Sequence, residues 1–383
     1  MFSIFETYSA LNKNSLWESA ELLNIPSNSA SSEFLYLPEL PGKQEFILMD
    51  QNLVHKEGNF PKKINLEWKT FEPFVEAFGS KERFGFRISS GEIYQDFYTE
   101  NSESLEKWIA TLRNICIQKN INDEFEFGKL LGRGHSASVN LGVCDSNNYA
   151  IKSISKEKYL NTLEAVERLC KEIQTMRALK RKTIVKLYGV YECQEYIHLI
   201  LDYLPYQNAL EMIKGLKGIP EASAAKIMKQ LLDALIYIHS RKFIHRDVKL
   251  ENIMVSSDFK KVKLLDFGLA CKSSSKGQTL QCGSPGYVAP EILKGQVYDF
   301  KVDVFSAGIV MYSLLSGLMP FAGVSVDEIL KNNKAGLVSF NNSTKNISSE
   351  AKELIREMTR PDPADRLSAY EAMIHPWIVN NNL

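Results

Sequence analysis

The chain has 383 residues, of which 44% are hydrophobic and 24% are charged, a composition typical of globular proteins with two or three domains. Lysine and arginine total 46 and balance 46 aspartate and glutamate residues, so no overall field directs the chain to nucleic acid or to an acidic membrane. The six cysteines show no CxxC pair and no zinc-ligand spacing, which favours free thiols in a reducing compartment. We therefore expect a cytoplasmic protein.

No export signal or membrane span is predicted. The opening residues, MFSIFETYSALNKN, lack a basic stretch followed by an apolar run, as a signal peptide would require. Residues 304–326 carry no charge, which passes a crude length test for a span. Three serines and Pro320 interrupt this segment, so we predict a buried helix followed by a turn.

The first part of the chain predicts a loose lead-in followed by strands. Residues 1–31 end in a serine- and asparagine-rich stretch, and residues 32–118 contain short aromatic and β-branched segments separated by Pro-Gly, Glu-Gly and Ser-Gly turns. A helical pattern closes this region, with Ser102 or Ser104 as its expected N-cap. One apolar face of this helix is predicted to contain Leu105, Trp108, Ile109 and Leu112.

The region 32–118 resembles a pleckstrin-homology domain, a small β-barrel closed at one end by a C-terminal helix. Members of that family that bind phosphoinositides present several lysines and arginines around their first loop. Between Glu33 and Asp50 this chain has only Lys43 as a basic residue, among four acidic residues. The resemblance therefore favours a protein-contacting or autoinhibitory module, and phosphoinositide or membrane binding is not expected.

Residues 119–124 form a short linker to the region 125–378, and residues 379–383 form a tail. The region 125–378 begins with strand-like segments and continues with helical periodicity. Its clearest helical stripe consists of Ile227, Leu231, Leu232, Leu235 and Ile238.

A glycine-containing loop opens this second region. Gly132 and Gly134 lack a side chain, so their backbone amides can approach an anion such as a phosphate. A third glycine would be expected where Ala137 stands. Val139 is placed to cover a base, and the following strand carries Lys152 toward the phosphates.

The octapeptide HRDVKLEN, residues 245–252, is the most informative motif, and Asp-Phe-Gly follows at 266–268. Phosphoryl transfer needs a carboxylate to orient the attacking hydroxyl, a cation beside the migrating group, and oxygen ligands for magnesium. These residue types are supplied by Asp247, Lys249, Asn252 and Asp266.

Together these motifs resemble those of the protein kinases. The resemblance implies an α+β fold with two lobes, the first rich in strands and the second helical, preceded by the pleckstrin-homology-like barrel. It implies ATP and Mg²⁺ as cofactors, with Asp247 and Lys249 as catalytic residues and Asn252 and Asp266 as metal ligands. The nucleotide-site residues that it implies are Gly132, Gly134, Val139, Ala150, Lys152, Glu172, Leu201, Asp202 and Met254.

Finer details resemble the serine/threonine kinases of the calcium/calmodulin-dependent group, through Lys249 and the stretch CGSPGYVAPE. Calmodulin binding is not expected, because only five residues follow Ile378. The stretch from Asp266 to Glu291 corresponds to the activation segment of the kinases. Arg246 would be an uncompensated cation with which a phosphate on this segment could pair. The acceptor is Thr279 or one of Ser273 to Ser275, and an upstream activating kinase is an implied partner.

Three residues are expected to support the fold. His245 is predicted to be a core histidine stacked under Phe267, and Asp303 to hydrogen-bond the catalytic-loop backbone. Glu291 is expected to form a buried ion pair with Arg366.

The expected function is ATP-dependent phosphorylation of serine or threonine in protein substrates, controlled by the activation segment and by the region 32–118. Because the linker is short, that region should lie near the first lobe, and its removal is expected to raise activity. Two alternatives are a pseudokinase scaffold and a small-molecule kinase. The first is disfavoured because Lys152, Asp247 and Asp266 are present, and the second because the protein-docking segment from Gly283 to Glu291 is complete.

Overall fold

The computed structural model describes residues 4–5, 18–19, 32–37, 43–49, 51–55, 62–134, 137–159, 162–341 and 344–381. Most of the predicted lead-in and most of the loop between Tyr36 and Lys43 lie outside the described residues. The chain divides into two compact units. The first contains Met1–Val166 and Leu187–Tyr203, and the second contains Glu167–Lys186 and Leu204–Leu383.

The described strands of the first unit form one continuous 14-stranded sheet. Its strands from the region 32–118 and its flanks are β1 Glu18–Ser19, β2 Ser32–Tyr36, β3 Lys43–Met49, β4 Asn52–His55, β5 Lys62–Asn65, β6 Thr70–Phe78, β7 Lys81–Ser90, β8 Ile93–Tyr98 and β9 Ile117–Gln118. The remaining strands are β10 Glu126–Arg133, β11 Ala137–Cys144, β12 Asn147–Ser155, β13 Leu187–Glu192 and β14 Tyr196–Asp202. The order across the sheet is β1-β5-β4-β3-β2-β8-β7-β6-β9-β13-β14-β12-β11-β10.

Buried apolar residues of the strands β2 to β8 and of the helix that follows them form the core of the front region, the name used here for residues 32–118. Phe71, Phe86 and Phe97 are buried, and Phe86 stacks on Phe97 with their ring centroids 5.1 Å apart. Gly85 lies in β7 beside β8, and a β-carbon at this position would lie 2.6 Å from the carbonyl oxygen of Phe97 in β8. Any larger residue would therefore force the strands apart.

Helix α1, Ser102–Leu112, packs on this core as the sequence predicts, with Leu105, Trp108 and Leu112 buried. The prediction that Ser102 or Ser104 is the N-cap of this helix is wrong. Asn101 provides the cap, because its side-chain oxygen accepts a hydrogen bond from the N–H of Ser104 at 2.9 Å. Asn101 has extended backbone geometry and satisfies one of the first free N–H groups of the helix.

The predicted closed barrel is not found among the described residues. The strands and their capping helix are formed in the expected order, but across the described residues the sheet stays open. Instead of closing, it continues from β6 through β9 to β13. Strand β9 pairs in parallel with both neighbours, through Thr70 and Phe71 on one side and Tyr191 on the other.

The chain that joins the front region to the strands β10–β14 is well anchored. The N–H of Ile117 donates to the carbonyl oxygen of Lys69 at 2.8 Å. Lys119 forms an ion pair with Glu72 at 2.7 Å, and Arg113 forms one with Glu124. A small apolar cluster lies under this segment and contains Ile121, Phe125, Ile151, Tyr191 and Ile200.

The second unit is mainly helical. Its longer helices are α3 Leu163–Ala178, which begins in the first unit, α5 Glu221–Ser240, α7 Lys301–Ser316, α8 Val326–Ala335 and α9 Ser349–Met358. Its short helices are α4 Ala209–Ile213, α6 Pro290–Leu293, α10 Ala369–Met373 and α11 Pro376–Asn380, while α2 Lys156–Tyr159 belongs to the first unit. Short strands complete it, namely β15 Gln207–Asn208, β16 Phe243–Ile244, β17 Ile253–Val255, β18 Val262–Leu264 and β19 Cys271–Lys272.

Burial in these helices follows the predicted pattern. The apolar stripe of α5 is fully buried, and α7 is buried on all sides, ending at Gly317 in the left-handed conformation. Among the described residues, no helix is both long enough and apolar enough to cross a membrane.

The predicted ion pair between Glu291 and Arg366 is confirmed. The guanidinium donates to both carboxylate oxygens at 2.6 and 3.0 Å, and both residues are almost fully buried. It also donates to three backbone carbonyls, those of Arg360, Lys301 and Pro361. Such complete pairing is what a buried charge requires.

We predict that Ile117→Pro destabilises the first unit, because proline removes the N–H that donates to Lys69 and leaves that carbonyl unpaired. The expected cost is about 1–3 kcal/mol, the range for an unsatisfied buried polar group. Ile117→Val is the matched control, since it keeps the N–H and most of the side chain. Thermal unfolding of the two variants measures the difference, and equal midpoints would contradict a structural role for β9.

Candidate active site

In the first unit, the predicted nucleotide residues lie on neighbouring positions of one sheet. Gly132 of β10 is opposite Val139 of β11, and Val139 is opposite Lys152 of β12. The N–H of Gly134, which follows β10, donates to the carbonyl oxygen of Ala137, the first residue of β11, at 2.8 Å. A β-carbon at Gly132 would meet nothing within 4 Å, so this glycine leaves open space above the strand.

Three further predicted residues lie on the adjoining strands. Ala150 of β12 is opposite Leu201 of β14, and Asp202 is opposite Tyr149. The carboxylate of Asp202 accepts a hydrogen bond from the hydroxyl of Tyr188 at 3.0 Å. Burial and this carboxylate raise the pKa of Tyr188 to about 12, so the tyrosine stays neutral and keeps donating.

The catalytic loop of the second unit brings three predicted residues into direct contact. Lys249 Nζ lies 2.7 Å from Asp247 Oδ2. The side-chain nitrogen of Asn252 donates to the same oxygen at 3.1 Å and to the backbone carbonyl of Asp247 at 2.9 Å. Asp247 is therefore a buried carboxylate held in one orientation by the two residues predicted to act with it.

Ser284 completes this group and was not predicted to contact it. Its hydroxyl donates to Asp247 Oδ1 at 2.7 Å and accepts a hydrogen bond from Lys249 Nζ at 2.8 Å. The sequence predicts Ser284 only as part of the docking segment from Gly283 to Glu291. The hydroxyl that serine shares with threonine was the signal for this contact, because it can donate and accept at once.

Asp266 and Glu172 lie on either side of Gly268. Asp266 has left-handed backbone geometry, with φ at 59°, and its Oδ1 accepts from the N–H of Gly268 at 3.2 Å. A β-carbon at Gly268 would lie 3.6 Å from Glu172 Oε2, so glycine permits this close approach. Glu172 is buried on α3, whereas Lys152 belongs to the first unit, and their pairing stays a prediction. Met254 lies on β17, opposite Lys263.

The catalytic loop is held in place by Asp303, as predicted. Its carboxylate accepts from the backbone N–H groups of His245 and Arg246 at 2.9 and 2.8 Å, and His239 Nε2 lies 2.9 Å away. Burial alone would raise the pKa of Asp303, but His239 and the hydrogen bonds outweigh it and hold this pKa below its ordinary value. His245 is a core histidine as predicted, but its ring does not stack on Phe267: the two rings meet edge-on, with their centroids 4.9 Å apart.

Two of the guanidinium donors of Arg246 are satisfied by neutral groups, which do not balance its charge, so the predicted pairing with a phosphate stays a prediction. The Nε of Arg246 donates to the carbonyl of Leu269 at 2.6 Å, and its Nη1 donates to the hydroxyl of Tyr298 at 3.1 Å. That hydroxyl in turn donates to the carbonyl of Leu280 at 2.7 Å. Neutral groups therefore link Arg246 to the activation segment.

The predicted metal ligands fit magnesium by their chemistry. The side chains of Asn252 and Asp266 carry oxygen atoms, which this hard cation prefers. In the described part of the chain, no group of three histidine, cysteine or acidic residues could hold a metal.

The first unit carries Gly132 and Gly134 at the end of β10, and the second unit carries the contact group of Asp247, Lys249 and Asn252. Residues 125–378 match the protein kinase domain family. The chain belongs to the protein kinase family.

Similar proteins are serine/threonine kinases. The chain is 33% identical over 314 residues to a probable serine/threonine-protein kinase 2 of Plasmodium falciparum, covering 80% of this chain and 58% of that protein. It is 38% identical over 324 residues to calcium-dependent protein kinase 5 of Plasmodium berghei, covering 83% and 56%. It is 31% identical over 277 residues to serine/threonine-protein kinase 33 of Bos taurus, covering 69% and 57%. The chain thus spans little more than half the length of these relatives.

We predict that Asp303→Asn lowers the free energy of unfolding by about 2–3 kcal/mol, because asparagine turns one charged acceptor into a donor facing buried N–H groups. The depressed pKa of Asp303 means that its contribution is complete above its unfolded value near ~4 and is lost below it. The difference between the two proteins should therefore shrink as the pH falls below about 5.

Asp299→Asn is the control for this prediction, because Asp299 is exposed and lies just before the same helix. Urea unfolding at several pH values measures the difference. A gap between parent and Asp303→Asn that widened below about pH 4 would contradict the assigned direction of the pKa shift.

Proposed function

We propose that the protein is an ATP- and magnesium-dependent kinase that phosphorylates serine or threonine in protein substrates. The observation that carries the proposal is the contact group of Asp247, Lys249, Asn252 and Ser284. A pseudokinase would have no need to hold a buried carboxylate in one orientation by a lysine, an amide and a hydroxyl. Loss of a catalytic residue, the usual mark of a pseudokinase, is not found.

Asp247 orients the substrate hydroxyl and accepts its proton as the oxygen attacks the terminal phosphorus of ATP. The new bond joins that oxygen to phosphorus, the bond to the bridging oxygen breaks, and ADP leaves. Lys249 lies beside Asp247 and balances negative charge on the transferring group. Ser284 couples the substrate-docking turn to both residues, so the base takes its final orientation together with that turn.

Asn252 and Asp266 would hold magnesium beside the phosphates. Bound magnesium would supply charge neutralisation at the phosphate oxygens. Gly132, Gly134 and Lys152 would contact the phosphates, while Val139, Ala150, Leu201, Asp202 and Met254 would surround the base and Glu172 would orient Lys152.

Serine/threonine specificity and membership of the calcium/calmodulin-dependent group rest on sequence detail, namely Lys249 and the stretch CGSPGYVAPE. Asn208 offers a structural hint about substrates. It caps α4, its side chain accepting from the N–H of Glu211 at 2.8 Å, so it supplies no negative charge for a basic substrate residue. We therefore expect no strict demand for arginine ahead of the phosphorylated residue.

Control by phosphorylation of the activation segment is part of the proposal. Thr279 and Ser275 are exposed, whereas the hydroxyl of Ser274 donates to the carbonyl of Gly277 at 2.7 Å. Thr279 adjoins Leu280, whose carbonyl is held by Tyr298. A phosphate on Thr279 would act next to the contact that already links Arg246 to this segment.

The front region is proposed to be a pleckstrin-homology-like module that contacts protein rather than lipid. Its sheet continues into the strands β10–β14, and Ile121 and Tyr191 are buried along that continuation. The pairing of β9 with β13 argues against the rise in activity that the sequence predicts for removal of the front region. Without the front region the edge of β13 would lose its neighbour, so we expect removal of residues 1–118 to lower activity.

We predict that the protein phosphorylates members of a serine/threonine peptide library and that Asp247→Ala slows this transfer by about 10²- to 10⁴-fold, the usual contribution of a positioned acid/base group. Asp247→Ala should keep magnesium-dependent ATP binding, because the metal ligands remain. Asp266→Ala should lose it. Radiolabelled phosphate transfer and ATP titration with and without magnesium separate the two roles, and parental turnover by Asp247→Ala would refute the assignment.

We predict that anionic vesicles do not retain the protein, because the front region carries ten lysines and arginines against fourteen aspartates and glutamates. Some of the basic residues are also paired, Arg87 with Asp96 at 2.7 Å and Lys107 with Glu103 at 3.1 Å. Co-sedimentation with phosphatidylcholine vesicles, with and without a few per cent of phosphoinositide, measures binding. Retention only on the phosphoinositide vesicles would overturn the protein-contact assignment.

A further inference from the structure

Ile4 and Phe5 are buried at the junction between the front region and the strands β10–β14, although no motif in the sequence marks them. The ring of Phe5 stacks on Trp68 of the front region, with centroids 5.1 Å apart and planes within 5° of parallel. The N–H of Ile4 donates to Glu192 Oε1 at 2.7 Å. Glu192 is the last residue of β13, so this dipeptide contacts both parts of the first unit.

Glu192 also forms a buried ion pair with Lys156. The two charged atoms are 2.8 Å apart, and the side chains are only 7% and 6% exposed. Lys156 directly follows β12, the strand that carries Lys152, and its own N–H donates to the carbonyl of Glu195 at 2.8 Å. The end of the lysine-bearing strand is therefore fixed to the β13–β14 turn by its backbone and by its side chain.

The partner of Phe5 has an unusual backbone. Trp68 has φ at 66°, in the left-handed region, where a bulky residue is strained by about 1–2 kcal/mol. Strain of this kind persists only when the surroundings fix the conformation. Trp68 lies in the turn just before β6, closed by the N–H of Lys69 on the carbonyl of Leu66 at 3.1 Å, and is itself nearly buried. Its indole thereby forms a platform for an aromatic ring.

We propose that Ile4 and Phe5 act as a clasp, and that Glu192 and Lys156 are positioning residues through which the clasp sets nucleotide affinity. With the clasp in place, Glu192 receives one neutral donor and one cation, and its side chain is largely covered. When the clasp leaves, the Ile4 hydrogen bond and the cover of Phe5 are lost together, and water reaches the ion pair. The end of β12 is then held less firmly, and Lys152 loses its fixed position.

The inference rests on the proposed function in one respect, namely that Lys152 contacts the nucleotide. It predicts the opposite of autoinhibition, because the clasped form is the one that binds nucleotide better. Any event that removes the clasp, such as competition by another apolar-aromatic segment, would therefore weaken the kinase.

The test is direct titration of the full chain with a non-hydrolysable ATP analogue and magnesium, together with steady-state kinetics. Phe5→Ala should raise the dissociation constant and the KM for ATP by about three- to tenfold, within the range that residues along a coupled network produce. The kcat should change by less than about twofold, because the base and its partners are untouched. Glu192→Gln, which keeps an acceptor for Ile4 but removes the charge, should act in the same direction.

The double variant Phe5→Ala with Glu192→Gln should be no weaker than the weaker single variant, because both changes break the same connection. Phe78→Ala is the matched control, since it removes an exposed phenylalanine from the β6–β7 hairpin. Phe5→Leu, which keeps apolar cover but loses ring stacking, replaces Phe5→Ala if thermal unfolding shows that the latter does not fold.

Parental nucleotide affinity in a folded Phe5 variant would overturn the proposal, and so would a double variant whose effects multiply. Because the titration needs no turnover, it is independent of the proposed activity. A parent chain that transferred no phosphate would refute the kinase assignment, and a shifted dissociation constant in the variants would still support the clasp.

Discussion

The structure around the active site depends on one buried carboxylate, that of Asp303. It accepts the backbone N–H groups of His245 and Arg246, and Arg246 has a left-handed backbone that would otherwise be unfavourable. Hydrogen bonds to a charged acceptor contribute about 1.5–3 kcal/mol each, which is enough to offset that strain. The direction in which Asp247 leaves the loop is thus set by a fully buried residue that does not contact Asp247 through any of these hydrogen bonds.

The same loop is then fixed from the other side by the activation segment. Ser284 joins the docking turn to Asp247 and Lys249, and Tyr298 joins Leu280 to Arg246. Each connection consists of a hydroxyl that donates and accepts at once. Movement of the activation segment would therefore break contacts at the base and at Arg246 together, so the geometry for transfer and the shape of the docking surface change as one.

Much of the site was predictable because its chemistry requires fixed residue types at short spacing. The contacts of Asp247 with Lys249 and Asn252 lie within a single loop, and the roles of Asp303 and of Glu291 with Arg366 follow from motifs of comparable specificity. The N-cap of α1 was misplaced by a residue or more because Asn101, Ser102 and Ser104 all have capping side chains, and only backbone geometry distinguishes them.

What the sequence did not predict depends on the register of distant segments. Strand β9 is only two residues long and carries no strand pattern, so it was not recognised at the end of the front region. Its pairing with β6 and β13 is a property of the assembled sheet. The contacts of Ser284 and Tyr298 likewise join residues that no periodicity relates, since a serine or tyrosine hydroxyl in a loop has many potential partners before the fold selects one.

Three buried carboxylates, Asp303, Glu291 and Glu192, illustrate how differently such groups respond to the loss of a partner. Removing Arg366 from Glu291 would strand a charge, which costs about 3–5 kcal/mol, more than the pair contributes to stability. Removing one of the backbone N–H donors of Asp303 would disturb the loop that carries Asp247, the proposed catalytic base. Glu192 differs, because Lys156 already balances its charge and Ile4 adds a neutral donor. The Ile4 contact can therefore break while the charges stay paired, which is the property that a reversible clasp requires.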